Sequence, residues 1–252
     1  MGKGETPVTD IHCHILPGVD DGAEDLAEAL AMAQLAAGCG VRDIIATPHF
    51  RGTESALGKL PRILHRLEGL NRALEREGIA LRVHPGVEIL CLPETVDLAR
   101  EGNLPTLGSS RYVLCEFFFD SPYEAMDRML EGIAGAGYRV VVAHPERYEA
   151  VIRDPRGVRR WFRKGYVIQL NKGSILGAFG SRVQEAADWL LEGGFVHLIA
   201  SDAHSPRHRT TDLSVLRRLL LERYPPSYVE LLLAENPGRL LRDQDMVPAE
   251  GY

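Results

Sequence analysis

The sequence predicts an α/β protein whose strands form a closed or nearly closed parallel barrel, in a single domain spanning residues 1–252. Three observations predict it. Short β-branched runs alternate with helical patterns along the whole length, the order of a parallel sheet covered by helices. Seven strand–helix units in 252 residues match the size of one barrel. The C-terminal end of every strand run carries a ligand-type side chain. A barrel gathers such ends on one face, whereas the alternative, a doubly wound open sheet, spreads them along a line.

The first strand is expected over residues 8–14. A helix follows over 23–37, with Leu26, Leu30 and Ala33 at helical spacing and Gly38 and Gly40 as stops. The second strand, 41–47, is closed by Pro48. Leu60, Ile63, Leu64, Leu67, Leu70 and Leu74 recur at three- and four-residue steps, which predicts an amphipathic helix over 59–77, ended by Gly78. Further strands are expected at 81–89, 112–118, 138–144, 166–170 and 195–201. Helices fall between and after them at 93–101, 123–136, 155–164, 181–192 and 212–223. No repeat, low-complexity tract or linker interrupts this order.

Composition narrows the function. Apolar residues make up 45 % and charged residues 25 %, the balance of a globular protein with its own core. No run approaches the ~18 apolar residues of a membrane span, which excludes an integral membrane protein. The opening, MGKGETPVTD, lacks an apolar signal region, so a cytoplasmic protein is expected. A net charge of −6 and the lack of a basic track argue against a nucleic-acid partner. Cys13, Cys39, Cys91 and Cys115 form no CxxC pair and read as reduced thiols.

The strand ends read His12 and His14, His49, Glu88, Glu116, His144, Asn171, and Asp202 with His204. Asp21 follows the first strand closely. Imidazole and carboxylate together suit Mn, Fe, Co or Zn. In His12-Cys13-His14 the two imidazoles share one face of a strand, and Cys13 points the other way into the core. The HxH pair alone is a weak signal; with the distant Asp202-Ala203-His204 it is much stronger. His65, His84, His197 and His208 read as packed or surface histidines. Asp20 reads as a cap for the next helix, and Glu146 as a solvated loop acid. Pro145 should bias His144 toward extended backbone and let Arg147 turn over the mouth.

Rival chemistries fail on spacing. A cysteine-nucleophile phosphatase needs Arg six positions after Cys, where this chain has Val19, Ile45, Asp97 and Ser121. GxSxG and the P-loop pattern are absent. Asp243-Gln244-Asp245-Met246-Val247 matches an aspartyl-phosphate motif but follows a helical pattern instead of an apolar strand.

The segment 10–22, from Asp10-Ile11-His12-Cys13-His14 to Asp20-Asp21-Gly22, resembles the first motif of the PHP (polymerase and histidinol phosphatase) superfamily. More narrowly it resembles the tyrosine-protein phosphatases of bacterial capsular and exopolysaccharide loci. The likeness continues through Ala46-Thr47-Pro48-His49, Gly86-Val87-Glu88, Glu116, His144-Pro145-Glu146-Arg147 and Ser201-Asp202-Ala203-His204, to Glu235-Asn236-Pro237. It implies a distorted seven-stranded (β/α)7 barrel holding three divalent ions, Mn foremost, with Fe, Co or Zn as alternatives. Carried over by position, His12, His14 and Asp202 hold the first ion. Glu88 bridges to a second, completed by Glu116 and His144. Asp21, His49 and His204 hold the third. Arg147 and Arg209 match the phosphate-binding arginines. Ser205-Pro206 departs from the family, where Asn commonly follows the histidine. Asn171-Lys172-Gly173-Ser174 also resembles a family segment, with no role assigned.

The activity so implied is hydrolysis of phosphotyrosine by a metal-bridging hydroxide, with His204 as one candidate proton donor. The implied partner is a phosphotyrosine protein, the tyrosine-rich tail of a polysaccharide-biosynthesis kinase; oligomeric state is left open. The alternative within the superfamily is a small-molecule phosphatase such as one acting on histidinol phosphate. A non-enzymatic binder would have lost ligand positions, and here all are filled.

Overall fold

The computed structural model describes residues 7–51 and 58–249. Its strands are β1 (Val8–Cys13), β2 (Val41–Ala46), β3 (His49–Arg51), β4 (Arg82–His84), β5 (Glu88–Leu90), β6 (Tyr112–Glu116), β7 (Arg139–Ala143), β8 (Val167–Asn171) and β9 (Leu198–Ala200). Every pairing is parallel. One sheet has the order β1-β2-β4, the other β3-β5-β6-β7-β8-β9.

The fold is thus α/β with parallel sheets, but no closed sheet forms among the described residues. The hydrogen bonds show why. β2 and β3 are one run of chain cut at Thr47-Pro48, and β4 and β5 are another cut at Pro85-Gly86-Val87. Each cut contains a proline, which has no N–H to give to a ladder. Gly86 is required at its cut, because a Cβ there would lie 2.6 Å from Ile45 Cγ2. On the other side, the segment after β9 meets β1 through a single bridge, Cys13 to Ala203. The bonds beside it are Asp202 N to His12 O and His14 N to Ala203 O, each 2.9 Å. The Ser201 N–H goes instead to the buried Asp10 carboxylate, at 3.0 Å.

Alternation along the strands sorts the core into two clusters. The larger lies beneath the helices and contains Val113, Cys115, Val140, Val142, Ile168, Leu170 and Ile199. The smaller, on the other face, contains Ile11, Ile45, Leu114, Val141, Ala143, Val167, Leu198 and Ala200. Following this second face up each strand leads from apolar to polar: Leu114 to Glu116, Val167 to Gln169 and Asn171, Ala200 to Asp202. That gradient places the site at the C-terminal ends.

The helices differ from expectation at several points, among them helices at Glu149–Arg153, Pro226–Glu230 and Asn236–Leu241 that lie outside the expected set. The first, α1 (Leu26–Gly38), is capped by Asp25, whose carboxylate accepts the Glu28 N–H at 2.9 Å. It buries Ala29, Met32, Ala33 and Ala36, while the expected core residue Leu26 is 39 % exposed. The helix expected over 155–164 is a 3-10 turn, Pro155–Gly157, followed by a short helix, Val158–Arg163. The long helix α2 (Leu60–Arg76) buries Ile63, Leu67, Leu70 and Leu74 as the spacing predicts, while Leu64 of the same pattern is 47 % exposed. No helix is long and apolar enough to cross a membrane among the described residues.

Candidate metal centre

All nine predicted donor residues come together where β1, β6, β7 and β9 end and β3 and β5 begin, with both arginines beside them. Glu88, at the start of β5, is 1 % exposed and lies at the centre. Its Oε1 is 2.8 Å from His144 Nε2 and 3.2 Å from His12 Nε2. Its Oε2 is 3.1 Å from His49 Nδ1 and 3.4 Å from His14 Nε2. Asp202 Oδ1 is 3.5 Å from Nε2 of both His12 and His14. Glu116 lies 3.7 Å from His144 Nε2 and 3.8 Å from His49 Nδ1. At the rim, Asp21 Oδ1 is 3.3 Å from His49 Nε2 and 3.6 Å from His204 Nε2. Four overlapping donor sets are compact enough for an ion: His12-His14-Glu88, His12-His144-Asp202, His49-Glu88-Glu116 and His14-Asp21-His49-His204. Cys13 is in none of them and packs in the larger core cluster.

Groups behind the donors fix their orientation. His14 Nδ1 is 2.7 Å from Asp20 Oδ2, and His12 Nδ1 is 3.1 Å from Gln169 Oε1. Each contact suits a proton on Nδ1, so that Nε2, which faces Glu88 and Asp202, is the atom that would give its lone pair to an ion held between them. Asp20 also accepts the N–H groups of Gly22 and His49, each at 3.0 Å. It therefore shapes the turn instead of capping the next helix, which corrects the expectation for it. A Cβ on Gly22 would lie 2.0 Å from the His14 carbonyl oxygen, so only glycine fits there.

Glu146, expected in solvent, is fully buried and accepts the Asn171 N–H at 2.9 Å. Asn171 in turn accepts from Gln169 Nε2 at 2.8 Å and donates to Asp202 Oδ2. Arg209 also donates to Asp202 Oδ2, and Arg147 Nη1 stands 3.5 Å from it. Asp202 thus turns one oxygen to the histidines and the other to Asn171 and the arginines. His144 is not extended: its φ of 32° and ψ of 55° are left-handed. The proline after it excludes the right-handed helical region. The left-handed turn carries the chain straight into the 3-10 turn Pro145–Arg147, closed by Arg147 N to His144 O at 3.0 Å.

The electrostatics test whether cations fit. Burial alone would lower His12, but Glu88 and Asp202 outweigh it and push it up to about 9. The same imidazoles hold Glu88 well below the usual carboxylate range despite its burial. Protons on histidine would therefore balance the buried carboxylates, although His12 Nε2 and His14 Nε2 stand only 3.4 Å apart. Divalent ions would balance the same charge while using both lone pairs, and an all-nitrogen-and-oxygen donor set suits them. His204 goes the other way, to about 4, through burial and the neighbouring charges of His14 and Arg209.

Such a site on parallel α/β strands defines the class of metal-dependent hydrolases as the best match in chemistry. The chain belongs to the CpsB/CapC capsular polysaccharide synthesis family, whose model matches residues 8–242. Tyrosine-protein phosphatase YwqE of Bacillus subtilis is 34 % identical over 93 % of this chain and 92 % of its own length. Putative tyrosine-protein phosphatase CapC of Staphylococcus aureus is 28 % identical over 97 % of this chain and 96 % of its own. A solved structure from the crystallography of YwqE and Streptococcus pneumoniae CpsB, described as unique metal-dependent tyrosine phosphatases, superposes with a TM-score of 0.84. It shares 34 % identity over 95 % of this chain and 96 % of that one.

Sequence reading missed Asp20, Gln169 and Glu146 as supporting groups and picked out Asn171 without a role. A signal existed for Gln169, which shares with Asn171 the polar alternate positions of an otherwise apolar strand.

Proposed function

We propose that this chain is a metal-dependent protein-tyrosine phosphatase, acting on the phosphorylated tyrosine-rich tail of a polysaccharide-biosynthesis kinase in the cytoplasm. The convergence of nine imidazole and carboxylate donors beside two arginines carries the reading. We read the two sheets as one interrupted seven-stranded barrel and the chain as a single domain. In the proposed loading, His12, His14 and Asp202 would hold one ion and Glu116 and His144 another, with Glu88 available to both. Asp21, His49 and His204 hold a third, and manganese is the preferred metal.

The ions, when bound, supply the positive charge that activates water and offsets the charge of the phosphoryl group. The protein supplies the rest. Asp20 and Gln169 accept the Nδ1 protons of His14 and His12, so that each Nε2 is the atom that would face an ion. Arg147 and Arg209 bind the phosphate oxygens; a planar guanidinium holds two oxygens at once and stays charged. Burial and the charges of His14 and Arg209 favour neutral His204, which suits it to hold an ion through Nε2, and it is also the candidate proton donor. A phenol leaves with a pKa near ~10, so it needs little protonation.

The test compares turnover of a phosphotyrosine peptide and histidinol phosphate by Mn²⁺-reconstituted protein, with elemental analysis and a chelator titration. Preference for the peptide, lost with the metal, supports the proposal. Preference for histidinol phosphate, or full activity in excess chelator, overturns it.

A further inference from the structure

Phe119 is a large apolar side chain left 43 % exposed at the mouth of the site. Its ring centre is 6.3 Å from that of His144, a donor residue, and the Arg147 guanidinium carbon lies 4.5 Å from the ring. A second ring, Phe179, lies 4.4 Å from the same guanidinium carbon and 5.9 Å from that of Arg209. Phe179 rests on Gly173, where a Cβ would come within 2.8 Å of the ring. The two phenylalanines therefore differ. Phe179 is half-buried, anchored on backbone and close to both arginines. Phe119 touches one arginine, borders a donor histidine and keeps open surface toward the entrance.

A phosphate held by Arg147 beside His144 would have Phe119 as a neighbour, since the ring lies against both residues. We infer that Phe119 selects aryl over alkyl phosphates, its open ring surface packing against the substrate's phenol ring, while Phe179 positions Arg147 and Arg209. This rests on the phosphatase reading above and names the side chain that gives that site its preference for tyrosine. Offset or edge-on ring contacts are favoured by the aromatic quadrupole, and an alkyl chain of phosphoserine has no ring to offer.

The test uses two non-hydrolysable probes, phenylphosphonate and methylphosphonate, bound to Mn²⁺-reconstituted protein and followed by titration calorimetry. Phe119→Ala should weaken phenylphosphonate roughly three- to tenfold, the range of one aromatic contact, and leave methylphosphonate unchanged. Phe119→Tyr should keep the preference. Phe179→Ala should weaken both probes equally, as loss of arginine positioning would. If Phe119→Ala weakens both probes equally, Phe119 acts only through Arg147 and the inference is overturned; if it weakens neither, the inference is also overturned. Metal content, measured in each variant, separates loss of the site from loss of selectivity. Failure of the wild type to turn over phosphotyrosine would refute the phosphatase reading by itself, and the ratio of the two probes would still decide the role of Phe119.

Discussion

Asp20→Asn separates an orienting acid from a helix cap. The Asp20 side chain is 8 % exposed, and its carboxyl is held at about 2. Burial opposes that shift; the hydrogen bond and charge of His14 drive it, with help from the Gly22 and His49 amides. The charged form of Asp20 is thus favoured, with His14 the largest contributor. Asparagine cannot accept from all three donors: with its oxygen kept for the Gly22 N–H, its NH₂ takes the place of Oδ2 and meets both His14 Nδ1 and the His49 N–H. The ring would then have to move its proton to Nε2, the atom that faces Glu88. The expected cost is about 10- to 100-fold in metal affinity, the usual scale for a group behind a ligand. Competition between the protein and a chelating indicator for Mn²⁺ measures it. Turnover at saturating metal should recover most of its wild-type value. Asp25→Ala is the control: it removes the real cap of α1, costing about 1 kcal/mol of stability, with metal affinity unchanged. Wild-type metal affinity in Asp20→Asn would refute the reasoning.

Three further predictions follow from the geometry. Arg147→Ala should lower kcat/KM roughly 10²-fold, with Arg147→Lys a poor rescue and metal content retained because Arg209 and Asn171 still hold Asp202. Its stability should drop by about 1 kcal/mol, since the guanidinium stacks on two rings; near-normal activity would show that it does not clamp phosphate. Cys13, Cys91 and Cys115 are at most 2 % exposed, and burial pushes the Cys13 and Cys91 thiols up. Iodoacetamide should therefore leave turnover intact while chelation abolishes it, and inactivation by alkylation with metal retained would contradict a metal-based reaction. Finally, burial lowers His197 from 6.5 to about 4. The unfolded chain then binds the extra proton between these values, so stability is full above pH 6.5 and falls toward pH 4, by up to about 3 kcal/mol. His197→Gln should flatten that acid limb in denaturant titrations; an unchanged slope would exclude His197 as its source.

The donors were legible because two periodicities act together. Strand residues two apart share a face, and parallel strands end together, so His12, His14, Glu116 and Asp202 could be assigned to one place without coordinates. Closure was not legible. Pro48 and Pro85 are visible in the sequence, but whether a ladder continues past a proline depends on which neighbouring groups need its N–H. Asp20 was misread because acids before a helix usually cap it; here the helix begins later, at the competing cap Asp25. Glu146 was misread because a loop acid beside an arginine is ordinarily solvated, and only tertiary packing puts it against the backbone of Asn171. The inward face of α1 was misjudged for a related reason. Four small or flexible residues, Ala29, Met32, Ala33 and Ala36, admit close approach, and Leu26 is left outside.

Backbone strain adds a separate line of argument about the site. Among the described residues, the non-glycine positions with positive φ are His144 at 32°, Asp202 at 48°, Arg209 at 50° and Asp243 at 54°. Each costs about 1–2 kcal/mol relative to ordinary backbone, and glycine would remove that cost. Positive φ alone does not mark function, because Asp243 lies far from the donors and its carboxylate accepts from the backbone and side chain of Arg111. The other three carry side chains of the site. His144 directly follows β7 and Asp202 lies just beyond β9, where a strand must stop and turn its last side chain inward. Arg209 lies in the loop that follows, with its carbonyl accepting the His204 N–H at 2.9 Å. Glycine would make the turn without supplying the imidazole, carboxylate or guanidinium. The strain is kept where backbone and side chain are both needed, which is the pattern expected of groups held ready for chemistry.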